Sequence, residues 1–174
     1  MIYLVRHGES QANVNVVFAG PRHNSPLTKK GREQAHAEGE RLLREGIIID
    51  RIFTSSADRA VQTAEIIAAV IGIDQDQIKH DKRLSEYDLG ELDGKPARGV
   101  TAEQRVSAKG AEDTSAFQKR VMSCLEDMKK LPGNTLLVSH DGVGRIIKAT
   151  KLGIDPHKFY EVEKYPNAKV IEIG

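Results

Sequence analysis

The sequence contains very little cysteine, and this limits the class of protein it can encode. Cys124 is the only cysteine among 174 residues, so no disulfide can form within the chain. This excludes a small secreted scaffold held by disulfides and favours a reducing compartment such as the cytoplasm. Cys124 lies among apolar residues at helical spacing, which predicts a small apolar side chain on a helix face.

The chain also lacks an excess of either charge, many aromatic residues and long apolar runs. The 26 Lys and Arg residues oppose 25 Asp and Glu residues, which argues against nucleic-acid binding driven by bulk charge. The aromatic content of 5% disfavours a base-stacking pocket. No segment reaches transmembrane length or has a signal-peptide pattern. We therefore expect a soluble cytoplasmic protein with neither nucleic acid nor membrane as a partner.

The apolar patterns that are present predict one α/β domain over residues 1–174. Short β-branched runs alternate with amphipathic helical patterns, which is typical of a three-layer αβα sandwich with a mostly parallel central sheet. We predict strands at 2–5, 51–56, 78–83, 135–139 and 169–173. We predict helices at 29–45, 58–71 and 117–128, with a further helix starting near Val143.

Cap and turn residues delimit these elements. Thr28 is the predicted N-cap of the helix at 29–45, and Ser55 or Ser56 that of the helix at 58–71. Residues 10–26 have the composition of a loop. Residues 88–114 contain five glycines and prolines among polar residues, which predicts a short lid or crossing loop.

Three of the predicted strands lead into basic residues. Arg6 and His7 end the first apolar run, Arg59 follows the second, and His140 follows the run at 135–139. In a parallel sheet the carboxyl ends of the strands lie at one edge, so these four residues are predicted to form one pocket. Two guanidinium groups beside two imidazoles favour an anion as the ligand.

A phosphoryl group matches this set of side chains. Guanidinium groups donate paired hydrogen bonds to its oxygens, a neutral imidazole can attack phosphorus, and a second, charged imidazole can stabilise the equatorial oxygens. The residue pattern does not decide which of His7 and His140 attacks. Metal binding is less favoured because the arginines repel cations and neither histidine lies in a ligand motif. Each histidine taken alone could also be a structural residue at a strand end.

Five ordered segments resemble the histidine phosphatase superfamily in its phosphoglycerate-mutase-like branch. They are LVRHGES, PLTKKGREQA, SSADRAVQTA, LSEYDLGELDG and LLVSHDGVGR. RHG alone is a weak signal, whereas five blocks in matching strand and helix contexts are a specific one. The resemblance implies a phosphoglycerate-mutase-like fold and phosphoryl transfer with neither cofactor nor metal.

The resemblance also implies roles for individual residues. It makes His7 the nucleophile that forms a phosphohistidine, and it assigns phosphate binding to Arg6, Arg59 and His140. Asn13 matches a position that contributes a side-chain amide to the phosphate pocket, although a turn-forming asparagine has the same appearance in sequence. Glu86 matches the general acid.

The assignment of Glu86 leaves neighbouring carboxylates as alternatives. Asp88 and Glu91 lie in the same acidic segment, which is also explained by a solvated loop. We favour Glu86 because its ExxLG context matches the family. A general acid there requires a raised pKa, which partial burial supplies.

Two features depart from the pattern or extend it. Asp141 follows His140 where many relatives carry a small residue, and its carboxylate weakens phosphate binding unless it points away or orients an imidazole. Arg98, Arg105 and Lys109 in the predicted lid could meet a second anionic group of a substrate, although a solvated charged loop explains them equally well.

These observations favour a metal-independent phosphomonoesterase, a hydrolase acting on a small phosphorylated substrate through a phosphohistidine. A phosphoglycerate-mutase-like phosphotransferase is the first alternative, disfavoured because the predicted lid is too short to seal out water. A non-catalytic phosphate-binding module is the second. The sequence indicates neither the physiological substrate nor the oligomeric state.

Overall fold

The strands form a single five-stranded sheet in a computed structural model that describes residues 1–174. The strands are β1 (Ile2–Arg6), β2 (Arg51–Thr54), β3 (Lys79–His80), β4 (Thr135–Ser139) and β5 (Val170–Glu172). Their spatial order is β3-β2-β4-β1-β5. The first four are parallel, and β5 pairs antiparallel with β1 at the edge. This confirms the predicted mostly parallel sheet.

Helices cover both faces of the sheet. The helices are α1 (Gln11–Asn15), α2 (Lys29–Arg44), α3 (Asp58–Ile71), α4 (Ala102–Val106), α5 (Thr114–Lys129) and α6 (Asp141–Lys151). Successive strand residues point to opposite faces, so Val5 and Val138 pack with α2 and α3, whereas Leu4 and Leu137 pack with α5 and α6. The predicted three-layer αβα architecture is confirmed. None of the six helices combines the length and the apolarity needed to cross a membrane.

The ends of the long helices follow local chemistry. The Thr28 hydroxyl accepts a hydrogen bond from the Gly31 amide at 3.0 Å, so the predicted N-cap of α2 is confirmed. The helix α3 ends at Gly72, which adopts a left-handed conformation with φ of 79°. The predicted serine cap of α3 is wrong, because Ala57 is the N-cap residue. The Ser55 hydroxyl instead contacts His140, a contact that sequence reasoning did not foresee.

The segment 10–26 is not entirely a loop, because it contains the one-turn helix α1. The Asn13 side-chain oxygen accepts a hydrogen bond from the Ser10 amide at 3.0 Å and thereby fixes the start of this turn. A five-residue helix is too short to show an apolar periodicity, which explains why the sequence pattern missed it.

The segment 88–114 is attached by backbone hydrogen bonds to the chain around Phe18. The Phe18 amide donates to the Lys95 carbonyl, and the Ala97 amide donates to the Val16 carbonyl, both at 2.9 Å. The short helix α4 lies within this segment. Cys124 is buried on α5, as its spacing predicted.

Candidate active site

The carboxyl ends of three neighbouring strands bring the two histidines together. His7 follows β1 and His140 follows β4, and the His7 amide donates to the Ser139 carbonyl at 3.0 Å. The ring centroids of His7 and His140 lie 5.3 Å apart with an interplanar angle of 64°. The third strand, β2, leads into Ser55, whose amide donates to the Val138 carbonyl at 3.0 Å.

The His7 ring is oriented by a backbone carbonyl. Its Nδ1 lies 2.7 Å from the oxygen of Gly8, which can only accept a hydrogen bond. The proton of the neutral ring is therefore on Nδ1, and Nε2 carries a lone pair. Burial, aided by the nearby positive charges of Arg59 and Arg6, holds the pKa of His7 well below its usual range. His7 is thus an uncharged imidazole with one unprotonated nitrogen at neutral pH.

His140 is held from its other nitrogen. Its Nε2 lies 2.8 Å from the Ser55 hydroxyl oxygen, while its Nδ1 is buried without any hydrogen-bond partner in the chain. Burial is the main cause that lowers the pKa of His140 well below its usual range, and the charge of Arg59 adds to it. From the sequence we considered a charged second imidazole. In the protein without a bound ligand, the His140 ring is instead neutral at neutral pH.

The two arginines are fixed by carbonyls and not by carboxylates. Arg59 is 1% exposed and donates from Nη2 to the Ala19 carbonyl at 2.7 Å, and Arg6 donates from Nη1 to the Tyr165 carbonyl at 2.8 Å. Neither forms an ion pair with any residue of the chain, and the Nε atom of each is buried without a partner. Two oriented positive charges with unfilled donors make a site suited to an anion.

These side chains face a cavity of about 330 Å³. The residues on its wall that the sequence singled out are Arg6, His7, Asn13, Arg59, Glu86, Arg105 and Asp141. A second cavity of about 210 Å³ adjoins it and contains His140 and Ser55 on its wall. Arg59 and Glu86 line both cavities, so the predicted catalytic and phosphate-binding residues lie around two neighbouring spaces.

Glu86 is a buried carboxyl group held by backbone amides. Its two oxygens accept hydrogen bonds from Tyr87 N at 2.8 Å and Gly142 N at 3.2 Å. Burial raises the pKa of Glu86, and the negative charge of Asp141 raises it further. Gly142 leaves room for this carboxyl group, since a Cβ at position 142 would meet the Glu86 carboxylate in its present position.

The alternative carboxylates lie outside both cavities. Asp88 pairs with Arg22 at 2.7 Å and accepts a hydrogen bond from the Gly90 amide, so it stabilises a turn. Glu91 is exposed and faces the backbone of Lys109. Of the three acidic candidates, only Glu86 has a carboxyl group on the cavity wall.

Arg120 positions the segment that carries Glu86, and sequence reasoning missed this residue. From α5 its guanidinium donates to the carbonyls of Arg83, Ser85 and Glu86 at 2.8, 2.9 and 3.1 Å. It also pairs with Glu112 at 2.7 Å. A charged residue on an amphipathic helix normally faces solvent, so only the partners in space reveal its role.

Asn13 fixes the start of α1 and also lines the larger cavity. Its oxygen accepts from the Ser10 amide and its side chain lies on the cavity wall. Asn167, which the sequence did not indicate, lies beside it and donates to the His7 carbonyl at 2.8 Å. The segment before β5 therefore completes this side of the cavity.

The charge of Asp141 is paired and does not orient either imidazole. One oxygen lies 2.9 Å from Nε of Arg145, and the other accepts from the Tyr165 amide at 2.9 Å. We expected the Asp141 carboxylate to weaken anion binding unless it pointed away. Instead, Arg145 on the same helix α6 pairs with this carboxylate and neutralises its charge. Its remaining influence is on Glu86.

The three cations of the predicted lid differ in their position relative to the cavities. Arg105 lies on the wall of the larger cavity, whereas Arg98 and Lys109 are exposed and line neither cavity. His23, interpreted from sequence as an exposed polar residue, is half-buried and lines the smaller cavity. No three His, Cys, Asp or Glu side chains are arranged to hold a metal ion.

The comparisons with known proteins agree with this geometry. Residues 2–174 match the family model described as histidine phosphatase superfamily (branch 1). A protein of Enterobacter sp. (strain 638) named "Probable phosphoglycerate mutase GpmB" is 37% identical over 167 residues, which cover 88% of this chain and 75% of that protein.

Solved structures of the same architecture also match nearly the whole chain. Bacillus stearothermophilus YhfR is 28% identical with a TM-score of 0.82, and the match covers 97% of this chain and 88% of that one. The alpha-ribazole phosphatase from Shigella flexneri is 23% identical with a TM-score of 0.79, covering 97% and 87%. The second likeness concerns the fold alone. The chain belongs to branch 1 of the histidine phosphatase superfamily.

Proposed function

We propose that the protein hydrolyses phosphomonoesters through a covalent phosphohistidine on His7. The observation that carries this proposal is the neutral ring of His7, whose Nδ1 is bound to the Gly8 carbonyl and whose Nε2 is free beside two arginines without carboxylate partners. Such a nitrogen is a nucleophile at neutral pH, and the unfilled guanidinium donors attract the phosphoryl group it attacks.

In the first step, the Nε2 lone pair forms a bond to phosphorus as the bond from phosphorus to the ester oxygen breaks. The departing oxygen takes the proton of Glu86, whose raised pKa keeps it protonated above the usual range of a carboxyl group. In the second step, water attacks phosphorus, Glu86 accepts its proton, and the P–N bond breaks to release inorganic phosphate. His7 returns to its starting state, so the cycle balances.

The remaining residues stabilise the charge that develops on the phosphoryl oxygens. Arg6 and Arg59 supply guanidinium donors, His140 supplies its unpartnered Nδ1, and Asn13 supplies its side-chain amide. These groups are preorganised because carbonyls of the chain fix each guanidinium and Ser55 fixes His140. Oriented donors in a partly dehydrated cavity give the largest share of catalysis in such sites.

A phosphoglycerate-mutase-like transferase is the second candidate, because the Enterobacter relative carries that name at 37% identity. A mutase has to keep water from the phosphohistidine until the second hydroxyl arrives. The cavity wall here includes the exposed side chains of Val16 and Lys164, so the site is open to solvent at its rim. Solvent access supports hydrolysis as the favoured reaction.

The test measures both products. We expect the wild type to release inorganic phosphate from 4-nitrophenyl phosphate and from alkyl phosphates, and H7A to lose this activity while the exposed control H80A keeps it. Accumulation of phosphoglycerate isomers faster than phosphate would favour the transferase. Equal phosphate release by the wild type and H7A would leave a binding module as the explanation. Strong loss on chelator treatment would contradict the metal-free mechanism.

A further inference from the structure

The larger cavity holds more positive charge than one phosphoryl group requires. Four cationic side chains lie on its wall, and they are Arg6, Arg59, Arg105 and Lys164. Its two carboxyl groups do little to balance them, because Asp141 is paired with Arg145 and the pKa of Glu86 is raised by burial. Since Arg6 and Arg59 suffice for a phosphomonoester dianion, two cations are left without a partner.

Arg105 is the better fixed of these two cations. Its guanidinium carbon lies 5.2 Å from the ring centroid of Phe18 and 5.1 Å from that of Tyr160, so the group is held between two aromatic rings. The only hydrogen bond of its side chain runs from Nη2 to the Val100 carbonyl at 3.2 Å. No carboxylate of the chain pairs with it, and its Nε is buried without a partner.

The helix that carries Arg105 is itself anchored. The Thr101 hydroxyl accepts from the Gln104 amide at 3.2 Å, and the Gln104 side chain accepts from the Thr101 amide at 2.8 Å. These reciprocal bonds hold the start of α4, which fixes the direction of its side chains. The neighbouring cations Arg98 and Lys109 are exposed and lie outside the cavity, so a solvated charged loop does not explain Arg105.

We propose that Arg105, assisted by Lys164, binds a second anionic oxygen group, a carboxylate or a second phosphoryl group, on the leaving-group portion of the substrate. This inference rests on the proposed function and names the substrate class of the same site. Apolar residues on the wall, which include Val17, Phe18 and Leu89, pack against the carbon frame between the two anionic groups. Stacked guanidinium groups suit such recognition because they keep their donors directed with little loss of rotamer freedom.

The test uses three probes on one glycerol frame: glycerol 3-phosphate, 3-phosphoglycerate and glycerol 1,3-bisphosphate. Dissociation constants are measured by calorimetry on H7A, which does not turn the probes over, and on H7A/R105Q. We expect H7A to bind at least one of the two probes with a second anionic group more tightly than glycerol 3-phosphate, and R105Q to reduce that preference roughly 10- to 100-fold. The probe that loses preference identifies the carboxylate or the phosphoryl group as the second anion.

Control variants separate recognition from folding. H7A/R98Q removes an exposed cation of the same segment and should keep the preference, and H7A/R105K should keep part of it because the charge remains. An equal loss for all three probes in R105Q, or no preference in H7A, would overturn the inference. The dissociation constants are measured without turnover. Failure of the wild type to release phosphate would therefore refute the proposed function, but the binding preference would still test the role of Arg105.

Discussion

The middle of strands β1 and β4 and the residues just past their carboxyl ends are equally buried, but burial has different consequences in the two regions. In the middle, Leu4 and Leu137 are side by side in register, fully buried, and surrounded by apolar side chains. Just past the ends of the same two strands, His7 and His140 are 4% and 1% exposed, and burial lowers the pKa of both rings. The first region gains stability from exclusion of water, whereas burial in the second keeps two imidazoles uncharged at a cost in stability.

This difference shows how the fold separates stability from chemistry. Parallel strands place apolar residues against the helices on both faces of the sheet. The residues that follow the strands then meet at one shared edge. Carbonyls of the chain satisfy part of each arginine and of His7, and leave selected donors and one lone pair unfilled. Substitutions at the strand ends should therefore affect mainly activity, and substitutions in the middle of the strands mainly stability.

The largest expected effect comes from substituting Glu86, the proposed general acid near the carboxyl ends of the strands. E86Q should lower kcat for alkyl phosphates by about 10²- to 10⁴-fold, because the poor leaving group departs without a proton. The loss in the first step should be much smaller for 4-nitrophenyl phosphate, whose leaving group needs no proton. Presteady-state release of 4-nitrophenol measures that step directly, and E91Q is the matched control on an exposed carboxylate. Equal losses on both substrates would remove Glu86 from the role of acid.

The pH profile of the wild type sharpens the same assignment. The pKa of His7 is lowered by burial, so the nucleophile stays neutral below the usual range of histidine, and the pKa of Glu86 is raised, so the acid keeps its proton above the usual range of carboxyl groups. We expect an acid-shifted optimum of kcat/KM for alkyl phosphates, whose alkaline limb disappears in E86Q. An unchanged alkaline limb in that variant would assign the limb to another group.

The middle of the strands should respond in stability alone. L137A removes a fully buried side chain packed between Leu4 and Phe53, and should lower the free energy of unfolding by about 2–5 kcal/mol. The kcat/KM of the folded fraction should change little. Urea denaturation measures the loss, with L43A, at a side chain that is 56% exposed, as the control of small effect. A large fall in kcat/KM without loss of stability would contradict the separation of the two regions.

A smaller effect is expected from the residue that positions His140. S55A removes the hydroxyl that binds His140 Nε2 at 2.8 Å and should lower kcat/KM roughly 3- to 10-fold. We expect the loss to be accompanied by a shifted acid limb of the pH profile, since the ring loses the partner that fixes its tautomer. The adjacent, exposed Ser56 gives the control S56A. A loss of stability without any shift of the profile would mean that Ser55 is only structural.

The sequence predicted those site residues whose position depends on the direction of the strands. His7, Arg59 and His140 follow apolar runs that are strongly patterned, and the parallel order then brings them to one edge. Contacts between distant loops were not predictable, because no periodicity encodes them. Ser55 and His140 are 85 residues apart, and Arg120 reaches the carbonyl of Arg83 over 37 residues. The one-turn helix α1 was missed for the related reason that it is too short for a pattern.

The most direct test of the central claim is to trap the phosphoryl group on the protein. The wild type and E86Q are mixed with 4-nitrophenyl phosphate, quenched in alkali because the P–N bond is labile in acid, digested, and analysed by mass spectrometry. We predict a phosphoryl group on the peptide containing His7, in greater yield in E86Q because its removal needs a base, and none in H7A. A phosphoryl group on His140, or full turnover by H7A, would contradict the account.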